Sequence, residues 1–220
     1  RYHREEVTNN RGGWAKLEFS KTEHLTSEGY FTYLKEFKGG HSLNAVAGYS
    51  YFEKNGENFN AENYDFGVEG LKYWDLESGS YLTDGKAKMG SKKDITERLF
   101  ALYARANYSY NDKYMVTATI RHEGSSKFAA ENRWGNFWAL SGGWRVSGEE
   151  FMKEFDWVND LKIRFGYGVT GNNDFDASYM ANTLSRDQYW MLPSGSWAFV
   201  YGPSSNVNPY LGWEENKEWN

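Results

Sequence analysis

The fold class of this chain is decided by residues Arg98 to Gly124, RLFALYARANYSYNDKYMVTATIRHEG. Side chains of a β-strand alternate between two faces, and both halves of this stretch put apolar or aromatic residues on one face only. The turn Asn111-Asp112-Lys113 joins the halves. Each half has about the length that crosses a bilayer at a tilt, so the stretch predicts a membrane β-barrel hairpin. The apolar face comprises Phe100, Leu102, Ala104, Ala106, Tyr108 and Tyr110, then Tyr114, Val116, Ala118, Ile120 and His122.

The composition agrees with a barrel but also with a soluble protein. The chain has 220 residues, a net charge of −5, and 10 Trp, 17 Tyr and 14 Phe, yet its mean hydropathy is −0.81. Polarity combined with aromatic residues suits a barrel with a wet lumen and aromatic girdles. It equally suits a soluble β-sandwich that binds or hydrolyses carbohydrate, because aromatic faces also stack on sugars.

Several classes of protein are disfavoured. The absence of Cys removes disulfide scaffolds, zinc ribbons and thiol nucleophiles. Without an apolar run of 18 residues there is no candidate transmembrane helix, and the negative charge argues against nucleic acid as a partner. The four histidines lack metal-ligand spacing, and no carboxylate pair predicts a catalytic site. We therefore expect no cofactor, no metal and no enzymatic activity.

Alternation elsewhere predicts further strands, giving about seven in all. The connections between them alternate between short and long, as periplasmic turns and extracellular loops do in outer-membrane barrels. Residues 147–160, SGEEFMKEFDWVND, fall where a short turn is due and predict one amphipathic helical turn at the barrel rim. The further predicted strands are 14–21, 30–38, 42–53, 137–146 and 161–169, with short turns at 39–41 and 111–113 and longer loops at 22–29, 55–97, 125–136 and 172–212.

Five blocks of sequence resemble the SusC/RagA family of TonB-dependent outer-membrane transporters. They are HSLNAVAGYSY (41–51), ARANYSYNDKYMVTATIRHEGSSKF (104–128), NRWGNFWALSGGWRVSGEEFM (132–152), WVNDLKIRFGYGVTGN (157–172) and NPYLGWEENKEWN (208–220). The resemblance implies an all-β fold in which 1–220 form part of a barrel domain. That part would be an antiparallel transmembrane β-barrel segment, about 7–8 strands of a 22-stranded barrel. We expect a fragment, without the plug domain or TonB box.

The resemblance also implies a function and its partners. A protein of this family would import a large nutrient, a glycan or a peptide, across the cell outer membrane of a Gram-negative, Bacteroidetes-like bacterium. It would act in a SusCD-like complex with a SusD-like surface lipoprotein, and would draw energy from TonB-ExbB-ExbD through the plug. Outer-membrane lipid would surround it. The alternative that the composition leaves open is the soluble carbohydrate-binding or glycan-hydrolysing β-sandwich.

Aromatic side chains in the predicted extracellular loops are the candidate contacts for ligand or for the lipoprotein lid. Rings in these positions would meet an incoming ligand first, although they would also serve to pack the loops. Basic residues on the polar face would line the pore or pair with carboxylates of the plug. The loop candidates are Trp134, Tyr189, Trp190, Trp197 and Tyr201, with Tyr73 and Trp74 as further ones; the basic residues are Arg105, Arg121, Arg145, Lys162 and Arg164.

Overall fold

A computed structural model describes residues 2–3, 13–67, 74–155, 157–175, 184–203, 208 and 210–220. These residues form antiparallel strands with one short helix, α1 (Ser80–Thr83), and 3-10 turns at Leu76–Ser78, Val146–Gly148 and Glu150–Met152. The strands are β1 (Tyr2–His3), β2 (Trp14–Phe37), β3 (His41–Tyr64), β4 (Lys88–Lys93), β5 (Glu97–Tyr110), β6 (Tyr114–Ser125), β7 (Trp134–Arg145), β8 (Lys162–Asn172), β9 (Leu184–Met191), β10 (Trp197–Pro203) and β11 (Glu214–Trp219).

The chain divides into two compact units, and β2 and β3 contribute to both. The first unit comprises residues 1–24 and 54–96. In it, β4 pairs antiparallel with the end of β3, from Glu57↔Lys93 to Glu62↔Lys88. The buried Asn63 amide donates hydrogen bonds to the carbonyl oxygens of Leu76 and Gly79, both at 2.7 Å, and so fixes the turn before α1.

The second unit comprises residues 25–53 and 97–220 and carries the stretch that decided the fold. Its strands follow the order β2-β3-β5-β6-β7-β8-β11. The β5–β6 register runs from Leu99↔Ser125 to Tyr110↔Tyr114. Asn111 and Asp112 have φ of 50° and 54°, the left-handed conformation that a tight hairpin turn requires. The predicted hairpin is confirmed, and so is the all-β antiparallel fold.

The apolar face of this sheet is bare. Leu102, Ile120 and Leu140 expose 51%, 54% and 52% of their surface, whereas a β-sandwich would bury such side chains against a second sheet. On the opposite face lie the polar side chains, as the alternation predicts. One sheet with an apolar and a polar face is the arrangement of a barrel wall between lipid and a wet lumen.

Two predicted boundaries at the start of the chain are wrong. Residues 22–29 are not a loop, because β2 is a single strand of 24 residues. Its partner β3 also has 24 residues, although about 9–11 suffice to cross a bilayer. Asn58 of β3 donates hydrogen bonds to Glu18 and Ser20 of β2, so polar side chains on exposed faces hold this part of the hairpin together.

The longer predicted loops also contain regular structure. The segment predicted as a loop over 55–97 includes the end of β3, α1 and β4, and the 172–212 segment includes β9 and β10. Strand β7 begins at Trp134 rather than Phe137. The helical turn predicted within 147–160 is confirmed in a tighter form, as the two 3-10 turns that end at Gly148 and Met152.

Candidate functional site

Aromatic rings bound the apolar face of the sheet at both ends. At one end, Trp134 stacks on His122 with ring centroids 4.7 Å apart and meets Phe100 edge-on at 6.4 Å. At the other end, Trp144 pairs with Tyr114 in the register. Trp134 and Trp144 begin and nearly end β7; at ~3.4 Å per residue and a tilt of ~45°, their separation covers about 24 Å of depth. That depth matches the apolar band of an outer-membrane barrel, which is about 25 Å tall.

The Trp144 end of the band gathers the short connections. The Asn111 N–H donates to the Gly40 carbonyl and the Arg145 N–H to the Lys113 carbonyl, each at 2.7 Å. His41 stacks on Tyr110, with centroids 4.6 Å apart. The turns at 39–41 and 111–113 and the start of the 147–160 connection therefore lie side by side at one rim.

Glu149, which lies between the two 3-10 turns that follow β7, makes hydrogen bonds at the same rim. Its carboxylate accepts hydrogen bonds from the Tyr114 hydroxyl at 2.7 Å, from Trp144 Nε1 at 3.1 Å and from Lys113 Nζ at 3.1 Å. These bonds, the one from Tyr114 first, lower the pKa of the Glu149 carboxyl from 4.5 to about 2. The carboxylate is therefore charged at neutral pH, and it accepts the hydrogen bonds of the Tyr114 and Trp144 side chains in that form.

Between the two aromatic ends the apolar face is hollowed. Alanines on three neighbouring strands floor a shallow groove of about 580 Å³, and larger side chains, among them Phe31, Tyr33 and Ile120, flank it. A hollow with such an apolar lining is suited to hydrocarbon and not to a polar ligand. The alanines are Ala45, Ala47, Ala104, Ala106 and Ala118.

The polar face supplies carboxylate partners to two of its five predicted basic residues. Arg121 binds Glu123 through Nε and Nη2, both at 2.8 Å, and Arg145 Nε lies 3.1 Å from Asp160. Arg105 contacts the Asn107 amide oxygen at 3.4 Å. Lys162 lies 3.0 Å from the Met115 sulfur, and Arg164 is exposed opposite Gly143. The predicted pairing with a plug stays a prediction, most directly for Arg105 and Arg164.

An aromatic cluster at the Trp134 end of the sheet was not predicted. Phe128, only 2% exposed, lies 5.1 Å from Phe175 and 5.2 Å from Trp213 between ring centroids. Trp213 also packs on Phe137 at 5.1 Å and donates from Nε1 to the Arg133 carbonyl at 3.0 Å. The cluster therefore fastens both ends of the 176–212 segment to the sheet. Phe137 lies in β7, but the other three rings sit in connections without periodicity, so only their hydrophobicity could have indicated them.

Strands β9 and β10 form a separate two-stranded hairpin that carries four of the five candidate contacts. The register pairs Phe199 with Tyr189 and Trp197 with Met191, and the Tyr189 and Phe199 rings lie 4.3 Å apart. Alternation along β10 puts Tyr201 on this face as well. The face is exposed: Tyr189 by 58%, Trp197 by 67% and Tyr201 by 66%.

The register of the hairpin thus divides the predicted contacts between its two faces. Tyr189, Trp197 and Tyr201 share one face, which we call the aromatic face and which also includes Met191 and Phe199. Trp190 pairs with Ala198 and lies on the opposite face. The loop predicted over 172–212 therefore contains a regular hairpin that carries these rings. Met191 and Phe199 were missed, although the alternation of Trp197, Phe199 and Tyr201 was a usable signal.

The other predicted contacts lie elsewhere. Trp134 is the first residue of β7 and stacks on His122, on the same face as Ile120, so it is a rim residue of the apolar band and not a loop residue. Trp74 belongs to the first unit and is 76% exposed, and Tyr73 lies outside the described residues. Within the described ranges, no helix is long and apolar enough to span a membrane. The same residues include no group of three or more His, Asp or Glu that could hold a metal ion.

Comparison with known proteins gives concordant similarities. A family model described as "TonB dependent receptor-like, beta-barrel" matches residues 1–220. TonB-dependent receptor P39 of Formosa agariphila is 34% identical over 204 residues, which are 88% of this chain and 18% of that protein. TonB-dependent receptor SusC of Bacteroides thetaiotaomicron is 32% identical over 139 residues, 62% of this chain and 14% of that protein. The chain spans less than a fifth of the length of these relatives.

Solved structures give the same fold. The RagAB peptide transporter superposes with a TM-score of 0.73 at 22% identity, covering 94% of this chain and 22% of that chain. The RagAB peptide importer in the closed-closed state gives a TM-score of 0.72, again at 22% identity, covering 94% of this chain and 21% of that one. At this identity the likeness establishes the fold alone.

Proposed function

This chain belongs to the TonB-dependent receptor β-barrel family, and from that membership we propose that the whole protein imports a large nutrient across a bacterial outer membrane. The resemblance to SusC/RagA proteins and the barrel fold expected from it are confirmed. The observation that carries the proposal is the family match over all 220 residues. The bare apolar face and its aromatic ends supply the physical reason, because they fit a wall that stands in lipid.

The proposed setting is the cell outer membrane of a Gram-negative, Bacteroidetes-like bacterium. The organisms of the relatives, a Formosa and a Bacteroides, support it. The proposed partners are TonB-ExbB-ExbD, acting through a plug domain, and a SusD-like surface lipoprotein that closes the pore. The names of the relatives, TonB-dependent receptors and SusC, support these partners. Arg105 and Arg164 on the polar face are available for a plug carboxylate.

The proposed ligand is a glycan or a peptide, taken up without a chemical reaction. RagAB is described as a peptide importer, which favours the peptide. On the hairpin, the aromatic face combines four rings with Met191, and such a surface stacks on the C–H faces of a sugar or on apolar peptide side chains. An isolated two-stranded hairpin is marginally stable in water, so contact with ligand or lid would also order it.

The import proposal is tested in cells. The gene is deleted and then restored, and uptake of labelled peptides and labelled oligosaccharides is measured with and without a working TonB. We expect uptake of one class to disappear on deletion, to return with the gene and to require TonB. Uptake that continues without TonB, or hydrolysis of the ligand by the purified protein, would contradict active import by a protein that is no enzyme.

The role of the hairpin is tested by comparing its faces. Trp197→Ala with Tyr201→Ala removes two rings of the aromatic face, and Trp190→Ala removes one ring of the opposite face. We expect the double variant to lose uptake or lipoprotein binding while the barrel assembles normally, and Trp190→Ala to lose less. Unchanged uptake and lipoprotein binding in both variants would mean that neither face is the contact surface, and an equal loss in both would mean that the aromatic face has no special role.

A further inference from the structure

We propose that residues 149–158, at the rim that holds the short connections, form an anchor that inserts aromatic rings into the phospholipid headgroup region next to the barrel. The proposal goes beyond import, because it concerns how the wall is held in the membrane. It rests on three observations: where this segment is attached, which of its side chains point outward, and which charges accompany them.

The attachment shows on which side of the wall the segment lies. Tyr114 and Trp144 are on the apolar face, and their polar tips mark its edge. Glu149 accepts hydrogen bonds from both. A carboxylate that reaches both tips must lie at the lipid edge of the rim, and not beneath the lumen. The 3-10 turn Glu150–Met152, which follows directly, therefore starts from the membrane side.

The apolar side chains of the segment fall into two groups. Met152 and Val158 are partly covered, and the turns are closed by the hydrogen bonds from Phe155 N–H to the Met152 carbonyl and from Val158 N–H to the Phe155 carbonyl, at 3.1 and 3.0 Å. Phe151, Phe155 and Trp157 instead expose 56%, 45% and 82%. Three exposed rings within seven residues form a patch that needs a partner.

The charges select the kind of surface. Acidic residues outnumber the single lysine of the segment, and Lys153 itself is paired with Glu150 at 2.7 Å. This balance repels an anionic surface and suits a zwitterionic phospholipid, whose ammonium group attracts carboxylates. Aromatic rings are stable at the level between headgroups and acyl chains. Zwitterionic phospholipid is therefore the occupant that the patch fits.

The test measures depth in the membrane. The full-length protein, with any cysteines of its own replaced, receives one nitroxide label through Phe151→Cys, Phe155→Cys or Trp157→Cys and is reconstituted in phosphatidylethanolamine–phosphatidylcholine vesicles. Collision rates with oxygen, which concentrates in lipid, and with a water-soluble nickel chelate are compared. Glu154→Cys, on the same segment, and Asp112→Cys, in a polar turn, are the matched controls.

We expect the oxygen-to-nickel ratio at positions 151, 155 and 157 to exceed that of both controls several-fold. Ratios equal to those of the controls would overturn the proposal, because the rings would then face water. Low collision rates with both reagents would overturn it as well, since the patch would then be covered by protein. Neither result would bear on import, which is measured separately by uptake.

Discussion

Strand β6 and the β9–β10 hairpin are both built from alternating side chains, yet only β6 has one apolar and one polar face. In β6, Val116 and Ala118 share a face with Ile120, and Thr117 and Thr119 lie opposite. In the hairpin, exposed rings occupy both faces, Trp197 on one and Trp190 on the other. The difference indicates that the two faces of β6 suit two different solvents, whereas both faces of the hairpin carry exposed aromatic rings. Alternation between polar and apolar side chains therefore shows that the two faces of a strand suit different environments. A strand can form without that alternation.

The largest effect on stability is expected at the aromatic cluster, where the ends of the segment that contains the β9–β10 hairpin meet the sheet. Phe128→Ala removes the central ring of the aromatic cluster, and truncating a fully buried Phe costs about 3–5 kcal/mol. Tyr210 lies near the same junction but is 87% exposed, so Tyr210→Ala should cost less than about 0.5 kcal/mol. Urea unfolding of the full-length protein in lipid measures both. Similar costs would mean that the cluster does not fasten the segment.

The next effect distinguishes the two faces of the wall. Ala118→Arg puts a charge on the apolar face near its middle and should cost about 2–4 kcal/mol. Thr119→Arg, one residue along on the polar face, should cost less than about 1 kcal/mol. The free energies of folding into lipid vesicles supply the comparison. Equal costs at the two positions would remove the distinction between the faces.

A smaller, pH-dependent effect is expected at the rim. The folded protein lowers the pKa of Glu149 to about 2, so its stabilising contribution is complete above the ordinary pKa of 4.5 and is lost as the pH falls toward 2. Glu149→Gln should therefore lower the urea midpoint at neutral pH, and the gap from the wild type should close between about pH 4.5 and 2. Glu154→Gln controls for the loss of one charge. If the difference in urea midpoint stays the same at low pH, the carboxylate is not its cause.

The smallest effect on stability is expected in the hairpin itself. Trp190→Ala and Trp197→Ala remove rings that are each 67% exposed, so each should change the free energy of unfolding by less than about 0.5 kcal/mol. If either costs more than about 2 kcal/mol, that ring packs in the fold and is not available to ligand or lid. Urea unfolding beside the uptake assay separates these two roles.

The sequence was sufficient to predict the wall because its strands, β5 and β6 above all, carry apolar side chains on one face only. Phe100 to Tyr110 and Tyr114 to His122 repeat with period two, and the register of β5 and β6 follows that repeat. The extension of β2 through residues 22–29 was missed because its side chains, apart from Leu25, are polar on both faces, so the alternation that marks a strand is absent there. Backbone pairing, which leaves no mark in the side-chain pattern, holds that part.

The candidate contacts were predicted only in part for a similar reason. Aromatic composition identified Tyr189, Trp190, Trp197 and Tyr201, but not their division between two faces, which depends on the β9–β10 register. Trp134 looked like a loop residue because Gly135 and Asn136 follow it and interrupt the apolar pattern. Its stacking on His122 depends on the pairing of β6 with β7, which lies beyond local sequence.

The central claim, that this sheet is a wall between lipid and water, is tested most directly by a cysteine scan of β6 from residue 114 to 124. Each variant of the full-length protein carries one nitroxide label in lipid vesicles, and its collisions with oxygen and with a nickel chelate are measured. We predict a period of two in both rates and opposite phases, with oxygen maxima at 116, 118 and 120 and nickel maxima at 117 and 119. Rates that vary in phase, or that show no period of two, would contradict the claim.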